Sequence, residues 1–261
     1  MSTKSVKPRK NRLPLIDQLR GLAVIGMVLF HALYMLVMQG LLVLDLWSGF
    51  WWWFARGVAA LFVLLAGWSM SAKKQNGSDW RFITRRVGIL GAAALLVSLV
   101  TIIAFGPQYF VFFGVLHLLA VGSIVGWPLA NHSRTALFTG LAVLVLGLWL
   151  GSLRFDFVWL AWLGLRSSKL RPMDYLPLLP WFAWLCFGMA AYPYTRLLAA
   201  KPSTVQQAAP ASKAGPGRAT ATAAKRCLEW LGQHSLLIYL VHLPLLYGLS
   251  LLLAALLRPP A

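Results

Sequence analysis

Charge and cysteine are both scarce in this chain. Only 11% of its 261 residues are charged, against about a quarter in soluble domains, so an ordinary water-facing surface is excluded. Two cysteines, Cys186 and Cys227, offer neither a disulfide framework nor a CxxC pair. There is no glycine-rich phosphate loop, zinc-ligand spacing, HExxH or GxSxG motif, and no metal is expected. No small-residue cleavage site closes the apolar run that follows the basic N-terminus MSTKSVKPRKNR, so that run is expected to stay as a first span. No internal repeat is evident.

What fills the chain instead is apolar: 59% of residues are hydrophobic, in recurring runs of about 18 or more that suit membrane crossing. The expected fold is all-α, a polytopic transmembrane bundle of seven spans near 14–38, 50–72, 86–106, 109–130, 135–152, 177–198 and 233–257. The net charge of +18 does not point to nucleic acid, because the basic residues cluster between apolar runs and form no face with interleaved aromatics. They set topology. With the N-terminus cytosolic, that side collects 17 Lys and Arg against five (Arg154, Arg166, Lys169, Arg171 and Arg258) on the other. The N-terminus is therefore expected inside and the C-terminus outside. Residues 1–198 form the six-span part of the bundle. Residues 199–224, rich in Ala, Pro, Ser and Thr, read as a disordered cytosolic linker, and 225–261 hold the final span. The outer connection 153–176 has an interfacial, amphipathic composition, and the tryptophans at 51–53 suit an aromatic belt.

The first span carries a polar stripe. Arg20 and His31 are eleven positions apart and fall within about 20° of one direction on a helix, with Asp17 about 40° from His31. A charge at mid-membrane costs about 2.5–3.5 kcal/mol and survives where it faces a bundle interior or wet cavity. Plainer readings stand beside this one. Asp17 and Arg20 make an interfacial i,i+3 pair with Arg20 snorkelling, or His31 hydrogen-bonds a neighbouring helix. His117, about 12 Å deep in the fourth span, arrives at a similar level to His31, and two imidazoles there would share a cavity. His242 precedes Pro244 and would satisfy a carbonyl freed by it, or join a site. Arg56 would bind an anionic group or a lipid headgroup, or snorkel. Ser235 would cap the last helix, and Asp174 and Tyr175 would form a turn before the sixth span.

LRGLAVIGMVLFH, with R-x10-H in a first span, resembles bacterial membrane O-acyltransferases that decorate surface polysaccharides. The wider pattern is closer to the heparan-alpha-glucosaminide N-acetyltransferase catalytic-domain family, in its short bacterial members. IDQLRGLAVIGMVLFH, FVLLAGWSMS, FFGVLHLLA, DYLPLLPWFAWLCFGMA and GQHSLLIYLVHLP resemble five of its blocks in order. The resemblance implies a multi-pass protein of the bacterial inner membrane that transfers an acetyl or other acyl group. The donor would be acetyl-CoA or another acyl-CoA on the cytosolic side. The acceptor would be a sugar hydroxyl or amine of a glycan or glycolipid at the outer face. The larger members have about ten spans. The animal lysosomal enzyme carries its catalytic histidine in the loop after the first helix, where this chain has none before His117.

Imidazole serves as a base or an acyl carrier near neutral pH, which makes His31 the expected catalytic group. Arg20 would meet the donor's phosphates or thioester carbonyl, or hold Asp17, and His117 would orient His31 or donate to an oxyanion. Arg56, Asp174, Tyr175, His242 and Ser235 are the expected substrate-binding residues. The competing class is a proton-coupled small-molecule or lipid-linked-substrate transporter using Asp17, Arg20 and His31 as a relay. The paired inverted repeats common in transporters are not seen here.

Overall fold

A computed structural model describes residues 13–107, 110–153, 158–165, 174–200 and 216–257. The described residues form eight α-helices: α1 (Pro14–Met38), α2 (Gly49–Gln75), α3 (Trp80–Phe105), α4 (Val115–Gly126), α5 (Ser133–Ser152), α6 (Leu178–Ala200), α7 (Pro216–Gln233) and α8 (Ser235–Leu257). Short 3-10 turns cover Pro128–Asn131 and Val158–Leu163. No strand occurs among them, only an isolated bridge between Phe113 and Tyr175.

Five helices (α1, α2, α3, α5 and α8) are long and apolar enough to cross a membrane. Among the described residues, five of the seven expected spans qualify by length and composition. The fourth is the largest departure, for α4 holds 12 residues and starts at Val115, not near 109. The chain before it runs non-helically back along α3. Ser98 donates to the Val111 carbonyl at 2.6 Å, and the Val111 N–H donates to Thr101 at 3.0 Å. Ser98 lies seven residues before Phe105 in α3, so the non-helical stretch reaches about 10 Å inside that end. Val111 and Phe113 are both buried there, as irregular backbone at such depth must be. The sixth span is also interrupted: Leu179 has φ −99° and ψ 126°, before a cis Pro180.

Two further differences concern ends. α3 begins six residues earlier than expected because Asp79 caps it, its carboxylate accepting the Arg81 N–H at 3.1 Å. α7 begins at Pro216, inside the stretch read as linker. Proline suits a first helical turn and the Ala-rich run after it favours helix. Residues 201–215 of that linker lie outside the described residues, as do the basic N-terminus 1–12, Arg154, Arg166, Lys169, Arg171 and Arg258.

Backbone hydrogen bonds pass from α7 into α8. The His234 N–H reaches the Trp230 carbonyl at 3.1 Å and the Ile238 N–H the His234 carbonyl at 3.0 Å. This continuous run lies parallel to α1. Gln18 donates to Glu229 and His31 meets His242, and both pairs are separated by 211 positions, so the two helices advance together. Glycines permit the approach: a Cβ at Gly21 would strike the Leu228 carbonyl, and one at Gly232 the Asp17 carbonyl. α2 and α6 also run parallel, with Gly67 on the Leu185 carbonyl and Ser71 on that of Met189. The principal core lies where α2, α3, α4 and α6 meet, around Met70, Leu118, Leu185 and Met189.

Candidate active site

Two polar layers cross this apolar bundle, both anchored on α1. The first lies near its N-terminus. Arg20 pairs with Asp17 at 3.1 Å and donates to Ser69 of α2 at 2.7 Å, and Gln233 reaches Asp17 at 3.4 Å. The expected i,i+3 pair is therefore present, and Arg20 is drawn inward by α2. Arg86 of α3 joins this layer. Its Nε donates to Ser123 of α4 at 3.0 Å. From sequence Arg86 counted only as one of the basic residues that set topology. Its position inside α3 became legible only once that helix was seen to start at Trp80.

The second layer is about 16 Å further along α1 at 1.5 Å per residue. His31 turns to α8 and meets His242, with Nε2 of His242 and Nδ1 of His31 3.2 Å apart and the rings 4.9 Å between centroids. His242 is 5% exposed. Carbonyl oxygens only accept, so the neighbours fix the tautomers. His242 Nδ1–H donates to the carbonyls of Tyr239 at 2.7 Å and Ile238 at 3.1 Å. With that ring neutral, its Nε2 is an acceptor. His31 Nδ1–H then donates to it and to the Met27 carbonyl at 2.9 Å. Nε2 of His31 keeps its lone pair.

The layer continues through α8. Tyr239, whose ring lies 5.7 Å from that of His242, donates its hydroxyl to Asp174 at 3.2 Å. The same Asp174 oxygen accepts the Val115 N–H at 3.4 Å, placing a carboxylate at the positive end of α4. Gly114 is required there, since a Cβ would clash with Asp174. His117, in the first turn of α4, donates from Nε2 to Ser98 at 3.3 Å, because the Ser98 hydrogen is already given to Val111. Its Nδ1 accepts the Gly114 N–H at 3.4 Å. Both its nitrogens thus hold the start of α4, and His31 takes His242 as its neighbour in place of the expected His117. His242 bonds the carbonyls of Ile238 and Tyr239, not the Leu240 carbonyl that Pro244 frees.

The remaining expected residues are dispersed. Arg56 stacks on Trp52, with Cζ 3.5 Å from the ring centre. Tyr175 donates to the Ala161 carbonyl at 2.7 Å and so ties the α6 approach to the turn after α5. Ser235 opens α8 beside the exposed His234. No group of three metal-binding side chains occurs among the described residues.

A family model for the heparan-alpha-glucosaminide N-acetyltransferase catalytic domain matches residues 12–244. The chain belongs to this family. The match covers both polar layers, from Asp17 to His242, and with the five apolar helices it makes the chain an integral membrane protein of a membrane-acetyltransferase family. Searches of curated proteins and of solved structures returned no match.

The clamp on α4 has a measurable consequence. Asp174→Ala removes the acceptor for Val115 N–H and the Tyr239 hydroxyl together, and is expected to cost about 1–3 kcal/mol. Asp174→Asn retains an acceptor oxygen and should lose less than half of that. Thermal unfolding of the detergent-solubilised variants checks the order.

Proposed function

We propose that this chain is an acyl-CoA-dependent membrane acyltransferase of the bacterial inner membrane. It moves an acetyl or other acyl group from a cytosolic thioester to a sugar hydroxyl or amine, on a glycan or glycolipid, reached from the outer end of the bundle. What supports the reading is the His31–His242 pair, whose hydrogen bonds leave the Nε2 lone pair of His31 open to a substrate proton or acyl carbon.

In direct transfer, His31 Nε2 takes the proton of the acceptor as its oxygen or nitrogen forms the bond to the acyl carbon. The C–S bond breaks, and the thiolate of CoA leaves with that proton. With His31 as carrier, Nε2 forms the bond to the acyl carbon as the C–S bond breaks and the CoA thiolate leaves. In a second step the acceptor's oxygen or nitrogen bonds that carbon as the acyl–Nε2 bond breaks, and the acceptor's proton passes to the freed imidazole and from it to the thiolate. Either route needs His31 fixed in one tautomer, which is the role of His242. Asp17 and Arg20 stand toward the donor, and His117 and Asp174 hold α4 against the second layer. Arg56, Tyr175 and Ser235 are assigned to binding of the acceptor or of lipid.

The test is transfer. Purified protein in detergent, given acetyl-CoA labelled in the acetyl group and a panel of amino sugars, oligosaccharides and lipid-linked glycans, should place label on an acceptor and release free CoA. Retention of all label in acetyl-CoA, with uptake of an unaltered solute by proteoliposomes, overturns the assignment.

A further inference from the structure

Tyr239 stands between the two halves of the second polar layer. Its carbonyl accepts His242 Nδ1–H at 2.7 Å, and its hydroxyl donates to Asp174 at 3.2 Å. One residue therefore ties the ring that holds His31 to the carboxylate that holds the start of α4. That carboxylate is a firm anchor. The Leu176 N–H donates to the Phe113 carbonyl at 3.0 Å and Tyr175 bridges to Phe113, so the backbone beside Asp174 is locked to the approach to α4.

What Tyr239 anchors is a turn with a weakened backbone. Pro244 lies inside α8 and gives no N–H to the Leu240 carbonyl one turn earlier. The glycine contacts that pin α7 to α1 end at Gly232, about 15 Å before His242 at 1.5 Å per residue. On its other side α8 meets the principal core through Leu236, Tyr239 and Leu240. Leucine contacts are non-directional and allow a helix to turn, whereas a hydrogen bond weakens steeply with angle and distance. An imidazole lies about 5–6 Å from the helix axis, so a rotation of roughly 20° moves it by about 2 Å. That is enough to break the 3.2 Å link between His242 and His31. Tyr239 and His242 are three positions apart and point within about 60° of one another. They turn together, and a rotation that parts the histidines also pulls the hydroxyl from Asp174.

We propose that Tyr239 is a positioning residue for the transfer reaction: its hydroxyl, seated on Asp174, sets the rotation of α8 at which His242 meets His31. The role rests on the acyltransferase reading for its effect on rate, and not for its effect on the histidine pair. Its contribution is geometric. His242 Nδ1–H is given to two carbonyls and not to the tyrosine hydroxyl, so no proton passes from Asp174 along this route.

The experiment joins a spectroscopic readout to kinetics, on the purified full chain in detergent. Ring-nitrogen resonances of protein labelled with ¹⁵N-histidine report each tautomer, assigned from the His31→Ala, His117→Ala and His242→Ala spectra. Without any ligand, Tyr239→Phe is expected to shift His31 and His242 toward a mixture of tautomers and to leave His117 in place. Asp174→Asn, whose amide oxygen still accepts the hydroxyl, should keep the wild-type pattern for both. With acetyl-CoA as donor and glucosamine as acceptor probe, Tyr239→Phe should lower kcat by about fivefold and change KM by less than about twofold. Added to His242→Ala, it should cost less than about a further twofold, because it acts through His242. Should Tyr239→Phe fail to fold, Asp174→Ala frees the same hydroxyl and must move His31 and His242 alike. Shifted histidine resonances in protein whose wild type transfers no label uphold the positioning while the acyltransferase reading fails. Unchanged His31 and His242 resonances in Tyr239→Phe overturn the proposal. A fall in kcat as large in the His242→Ala background as in wild type overturns it too, since Tyr239 would then act elsewhere.

Discussion

His31→Ala is expected to reduce acyl transfer by at least about 10²–10⁴-fold, the range for loss of a general base, and to abolish it if His31 carries the acyl group. The variant should stay folded, because the His31 side chain is only partly buried and packs at the edge of Phe30. His242 provides the sharper comparison. His242→Ala removes the acceptor of His31 Nδ1–H but leaves the Met27 carbonyl, so tautomer control weakens without vanishing. A fall of about tenfold is expected, with a shifted pH profile. His242→Gln, which offers a carbonyl oxygen in place of Nε2, should recover part of it. Loss of rate on acidification should follow protonation of His31 Nε2, and that limb should be missing in the residual activity of His31→Ala. Equal transfer by His31→Ala and wild type would remove the catalytic role.

The second large effect lies in backbone contact. Gly232→Leu is expected to destabilise the protein by about 3 kcal/mol or more, the upper end of the overpacking range, because its side chain must occupy space held by the Asp17 carbonyl. Gly21→Leu meets the Leu228 carbonyl and should behave alike. Melting in detergent gives the loss. Cysteines placed at Gln18 and Glu229, which touch in the native pairing, report its cause. They should cross-link readily on oxidation in an otherwise native chain and poorly when Gly232→Leu is added. A rapid cross-link in the leucine variant would show that α1 and α7 accommodate the side chain.

The first span and its polar face were legible because helical period and lipid cost act on one continuous segment. Pro14–Met38 matches the expected 14–38, and Asp17, Arg20 and His31 do turn toward other helices. Their partners were not legible. Nothing in α1 says that α8 will lie parallel to it and bring His242 to His31, and depth alone favoured His117. The start of α4 was hidden for another reason: residues 110–114 are as apolar as the helix after them, and their non-helical path is set by Ser98 and Thr101 of a different segment. Arg86 was masked by its company, since a basic residue near others at a span's end reads as a topological signal until the helix is found to begin a turn and a half earlier. The family resemblance, resting on order and spacing of blocks, was visible throughout, and residues 12–244 confirm it.

The parallel pairing of the first and last helices also bears on how the protein comes into being. His31 enters the membrane with the earliest helix to be synthesised, yet its neighbour is 211 residues later. Until α8 inserts, the imidazole and the Asp17–Arg20 pair have no α7–α8 run beside them, and the nascent bundle holds a polar flank open to lipid. Biogenesis therefore places a premium on completion: a chain halted after α6 would contain four of the five long apolar helices and no paired histidines.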